Sequence, residues 1–153
     1  MTAPSRASRI VRAPREALYA AFLDPDALVQ WLPPGEMTGV IHDFDARVGG
    51  GYRMSLFYPP DAAHTPGKTA EHEDQVRVRF VELAPPSRIV QAVTFVTDDP
   101  SLKGEMTMTV IFEDTPGGTD LTLSFENLPP GVRPQDNDEG ARLSLEQLAR
   151  RFE

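Results

Sequence analysis

Over residues 102–113 the apolar side chains Met106, Met108, Val110 and Phe112 fall on alternate positions, and over residues 119–126 Leu121, Leu123 and Phe125 do the same. A period of two marks a strand that buries one face. Pro116-Gly117-Gly118 between the two runs predicts a hairpin. Residues 71–83 form a longer strand of the same kind, with Val76, Val78 and Phe80 on one face and Arg77 and Arg79 on the other. Carrying that parity backwards puts His72 and Asp74 on the inner face, and Glu71 and Glu73 outside. Further strands are predicted over 8–12, 37–44, 52–58 and 88–97. After the turn at Gly49-Gly50-Gly51, the inner set is Tyr52, Met54 and Leu56. Residues 59–68, rich in Pro and Ala, read as a loop.

The spacing changes near both ends of the chain. Leu18, Ala21 and Phe22 recur at helical intervals behind Pro14, a residue suited to a first turn. Asp24-Pro25 reads as an N-cap followed by proline, and opens a second short helix carrying Leu28, Trp31 and Leu32. The last element is a helix over 134–152 with the stripe Ala141, Leu145, Leu148 and Phe152. Asp136, Asp138 and Glu139 lie in its first turns and Arg150 and Arg151 in its last, the order that the helix dipole favours. One strand, two helices, a run of strands and a closing helix imply an α+β domain spanning residues 1–153. Its antiparallel sheet must bury one face against the long helix.

Composition narrows the choice of function. Fifteen Lys and Arg against 23 Asp and Glu give a net charge of −8. That sign opposes nucleic acid, whose recognition needs a basic patch, and opposes anionic membranes. No run approaches the ~20 apolar residues that span a bilayer, and the polar, basic start is not a secretory signal. Without any Cys there is no disulfide, thiolate metal site or Cys nucleophile. A soluble cytoplasmic protein, monomeric or homodimeric, is the expectation.

The residues also resemble a known family. Arg9-Ile10-Val11-Arg12-Ala13-Pro14, Ala20-Ala21-Phe22, Asp24-Pro25-Asp26-Ala27-Leu28 and Gln30-Trp31 resemble its N-terminal signature. Asp45-Ala46-Arg47-Val48-Gly49-Gly50-Gly51-Tyr52-Arg53-Met54 resembles its internal motif, and the stretches 80–90 and 144–149 match as well. The family is the bacterial group similar to the C-terminal domain of the activator of the heat-shock-protein-90 ATPase, within the SRPBCC superfamily of START-like and birch-pollen-allergen-like domains. The resemblance implies a helix-grip fold, with a hydrophobic cavity between the sheet and the C-terminal helix. One departure stands out. Where the family usually carries Gly-Trp early in that helix, this chain has Gly140-Ala141. Loss of an indole there should widen the cavity or open its mouth.

Candidate cavity residues are Trp31, Tyr52, Met54, Leu56, His72, Asp74, Val76, Met106, Met108, Asn137, Ala141 and Ser144. His72 and Asp74 offer a base and an orienter, or an anchor for a polar ligand group; equally, they can lie at a solvated rim. Trp31 lines the mouth or serves as a packing anchor, and Asn137 reaches the cavity or caps its helix. The methionines are soft enough to accept varied apolar shapes. No metal site is expected, because neighbouring strand residues His72 and Glu73 point to opposite faces. Gly67-Lys68-Thr69 lacks the first glycine of a phosphate loop, since Ala62 holds that place. No Gly-x-Ser-x-Gly elbow is present, so no Ser nucleophile and no catalytic residue is assigned. The leading expectation is therefore a module that binds a small, mainly hydrophobic molecule without a cofactor. An acid–base enzyme acting in the same cavity and a co-chaperone-like protein-interaction domain are the alternatives.

Overall fold

A computed structural model describes residues 5–58 and 73–153. Seven strands, β1 (Ser5–Val11), β2 (Thr38–His42), β3 (Gly51–Phe57), β4 (Glu73–Ala84), β5 (Arg88–Phe95), β6 (Glu105–Thr115) and β7 (Gly118–Glu126), form one sheet. Its order is β1-β7-β6-β5-β4-β3-β2, and every neighbouring pair is antiparallel. Two short helices, α1 (Arg15–Phe22) and α2 (Pro25–Trp31), follow β1, and the long helix α3 (Pro134–Phe152) closes the chain. The α+β class expected from the residue pattern, and the helix-grip arrangement that the family resemblance implies, are the ones observed. Lys68, His72 and the stretch 59–68 read as a loop lie outside the described residues.

Strict alternation in the β6–β7 hairpin places Met106, Met108, Val110 and Phe112, with Leu121, Leu123 and Phe125, in one buried cluster with Leu145 and Leu148 of α3. Such burial contributes about 1.5–3 kcal/mol for each large side chain. Around Phe22 the aromatic rings meet edge to face. Trp31 is 4.7 Å away and Phe112 5.4 Å, centroid to centroid.

Two sets of polar contacts fix α3 over the sheet. On the β1 side, the Ser5 hydroxyl and the Arg6 amide (2.9 Å) both donate to Asp138, and the Arg12 amide donates to Glu153 at 3.1 Å. The other set satisfies carbonyls at the end of α2, where no intrahelical donor remains. The Gln147 amide donates to the carbonyls of Trp31 and Pro33, both at 2.8 Å, and the Ser144 hydroxyl to that of Leu32 at 2.6 Å.

Three local readings change. β1 starts at Ser5, three residues earlier than its apolar pattern suggests, because Ser5 is buried through its polar contacts with α3. Pro100–Leu102 is a short 3-10 turn capped by the Asp99 carboxylate, so the strand predicted from residue 102 begins at Glu105. Gly51 belongs to β3 itself, where a Cβ would come within 1.8 Å of the Val78 carbonyl oxygen. Only glycine permits that approach of β3 to β4.

Candidate functional site

Between the inner face of the sheet and α3 lies a cavity of about 270 Å³. β3 supplies Tyr52, Met54 and Leu56, and β4 supplies Asp74, Val76 and Val78. Gln91, Val93 and Phe95 of β5 continue the wall, followed by Met106 and Met108 of β6 and Leu123 and Phe125 of β7. Phe22 and Leu28 close one side. From above, α3 contributes Asn137, Gly140, Ala141 and Ser144, whose side chains are short or absent. A helix presenting Gly, Ala and Ser at successive inward positions stands over the sheet without filling the space beneath it.

Ten of the twelve candidate residues line this cavity: Tyr52, Met54, Leu56, Asp74, Val76, Met106, Met108, Asn137, Ala141 and Ser144. Trp31 does not. It is fully buried behind Phe22, with its indole N–H donating to the Ala21 carbonyl at 3.1 Å, so it is a packing anchor rather than part of the mouth. His72 lies outside the described residues, and its pairing with Asp74 is not placed.

Several polar groups of the wall are already engaged. Asp74 is 2% exposed and accepts from the Tyr58 hydroxyl at 2.8 Å. Asn137 donates to the Ser5 hydroxyl at 2.9 Å and so helps hold α3 to β1. Ser144 is bound to the Leu32 carbonyl. Burial pushes the Tyr52 phenol well above its ordinary pKa, which keeps it protonated and neutral. At the opening, Arg133 and Asp136 approach to 4.0 Å, and both are largely solvent-exposed. An exposed pair of this kind contributes little to stability. Among the described residues no three His, Cys, Asp or Glu side chains come close enough to hold a metal ion, and no helix is long and apolar enough to cross a membrane.

Reasoning from the sequence missed Gln91, Val93, Phe95 and the Gly131–Arg133 turn that leads into α3. β5 is apolar on both faces, with Val90 and Ala92 on one and Ile89 and Val93 on the other, so its inner parity does not stand out. A signal did exist: Gln91 is two residues from both Ile89 and Val93 and must share their face.

Gly140 gives the cavity part of its room and costs the helix something. A Cβ placed there meets nothing within 4 Å, so no close approach demands glycine. Glycine in a helix interior is about 1 kcal/mol less favourable than alanine. Gly140→Ala is therefore expected to stabilise the protein by about 0.5–1 kcal/mol in urea unfolding, with unchanged denaturant dependence.

Comparison with known proteins agrees with this architecture. A crystal structure of a protein from Chromobacterium violaceum superposes with a TM-score of 0.86 at 34% identity, covering 99% of this chain and 98% of that one. The AHSA1 protein of Silicibacter pomeroyi gives 0.77 at 24% identity (97% and 96% covered), and an AHSA1-like protein of Aeromonas hydrophila 0.71 at 19% (97% and 90%); these two speak to the fold alone. No curated protein matches the sequence. Residues 12–153 match the family described as Activator of Hsp90 ATPase homolog 1-like protein, and the chain belongs to that family.

Proposed function

We propose that this protein binds a small, mainly apolar molecule in the cavity between sheet and α3. The observation that carries the reading is the missing filler. About 270 Å³ remains open beneath Gly140, Ala141 and Ser144, where protein interiors are ordinarily close-packed. Its wall is largely hydrocarbon and thioether, with a few polar groups, which is the usual constitution of a small-molecule site. Met54, Met106 and Met108 let that wall adapt to more than one shape.

Native mass spectrometry of the purified protein with alkylbenzenes and medium-chain lipids tests this, paired with thermal melts. One-to-one adducts that raise the melting temperature are expected. A uniformly negative screen would count against the reading.

A second reading has one observation in its favour. The buried carboxyl of Asp74 lines the same cavity and is held by the Tyr58 hydroxyl. A carboxyl group positioned in this way can take or give a proton to a bound carbonyl compound. Asp74→Asn separates the two readings: it leaves binding of hydrocarbons intact, and it abolishes turnover if acid–base chemistry takes place there.

A further inference from the structure

Along β5 the face turned toward α3 carries Ile89, Gln91, Val93 and Phe95. Three are hydrocarbons and one is a primary amide. Gln91 is 3% exposed, stands in register between Phe80 of β4 and Met108 of β6, and lines the cavity. Its side chain makes no hydrogen bond with any described residue, and its amide is open to the cavity rather than sealed within the protein. A carboxamide has two N–H donors and a carbonyl acceptor. When an apolar molecule fills the cavity, leaving them unmet costs more than an average hydrogen bond gains, so the occupant of the cavity has to supply their partners. The Tyr52 hydroxyl is likewise open to the cavity: it belongs to a residue 5% exposed on the cavity wall and has no hydrogen bond to a described residue. Tyr52 aligns through Val78 with Val93, two residues from Gln91. The backbones of the two residues are thus about 10 Å apart across the strands and about 7 Å along them.

Resting on the cavity-binding reading above, we infer that Gln91 recognises a neutral group of the bound molecule that both donates and accepts hydrogen bonds: a carboxamide, a lactam or an imide edge. Two considerations select that chemistry. A group that only accepts, such as an ether or ester, would leave the Gln91 carbonyl without a partner; one that both donates and accepts meets both halves of the amide. Charge decides the rest. Among the described residues the lining contains one guanidinium, that of Arg133, and it sits exposed at the opening beside Asp136. The other ionisable acid of the wall, Asp74, is six residues from Phe80, the β4 neighbour of Gln91, and so about 20 Å along the strand. An anion seated at Gln91 would be buried with no counter-charge among the described residues, which is a costly arrangement. The remainder of the molecule is apolar, matching Val78, Val93, Met106 and Met108 around it.

The test compares hexanamide with its isosteric hydrocarbon 2-methylheptane, using melting-temperature titrations of wild-type protein and Gln91→Leu. Hexanamide is expected to bind Gln91→Leu at least about tenfold more weakly than wild type, the scale of one buried hydrogen-bonding group left unmet. Binding of 2-methylheptane should be retained or tightened. N,N-dimethylhexanamide, which has no N–H, should bind wild-type protein several-fold more weakly than hexanamide; this arm needs no variant. If both probes bind and neither the variant nor N-methylation changes hexanamide affinity, the amide of Gln91 is met by water alone. That result overturns the inference and leaves the cavity reading standing. If no probe stabilises the wild-type protein, both fall.

Discussion

Leu145→Ala is expected to destabilise the protein by about 2–5 kcal/mol, the range for removing a large aliphatic side chain from a close-packed core. Leu145 is 1% exposed and Leu148 is fully buried, both in the cluster that contains Met108, Val110 and Leu123. They lie on the closed part of the α3–sheet contact, whereas Ala141 and Ser144 stand over the cavity. Truncation at Leu145 therefore opens a second void where the core is filled, and the surrounding strands, tied into a seven-stranded ladder, cannot collapse into it. Urea unfolding monitored by circular dichroism reads this directly. A loss below about 1 kcal/mol would mean that α3 is rotated relative to the sheet.

The opposite change, Ala141→Trp, is expected to abolish binding of apolar molecules while leaving stability unchanged or higher. Ala141 is 8% exposed and lines the cavity. Trp is only a few tenths of a kcal/mol worse than Ala in a helix, so the backbone of α3 tolerates it. An indole placed in existing space removes apolar area from water, at about 25 cal/mol per Å². The neighbouring Gly140 has no atom within 4 Å of its would-be Cβ, which leaves room for the ring to settle. Thermal melts and native mass spectrometry of the variant give both readouts. A fall of about 1–3 kcal/mol, the scale of an overpacked core, would show that side chains such as Met54 or Tyr52 already fill the indole's place.

The parts of this fold that were legible in the sequence are those where burial is written in apolar side chains. The alternation in β6 and β7 and the stripe on α3 fixed both the elements and their inner faces, because one face of each had to leave water. Polar pairing left no such trace. Ser5 starts β1 through its contacts with Asp138 and Asn137, which are more than 130 residues away in the chain. Gln147 and Ser144 look like ordinary polar helix residues until the ends of α2 are placed beneath them. Trp31 could be placed on a helix but not in depth, since an indole suits a cavity mouth and a core equally. Gln91 escaped notice because both faces of β5 are apolar, although its parity with Ile89 and Val93 was available. A cavity beneath α3 was implied by the resemblance; its length along the sheet, reaching Phe95 at one end and Phe125 at another strand, followed only from strand order and register.

The central claim is that an apolar molecule occupies the space bounded by Met54, Met106 and Met108. Five methionines are present in the chain, and Met37 is not among the cavity-lining residues. Methyl NMR of methionine-labelled protein titrated with butylbenzene therefore reports the site by residue. Saturable shifts of the Met54, Met106 and Met108 methyl resonances, absent at Met37 and lost in Ala141→Trp, are the result expected. Unperturbed cavity methyls at ligand saturation, or shifts confined to Met37, would contradict it.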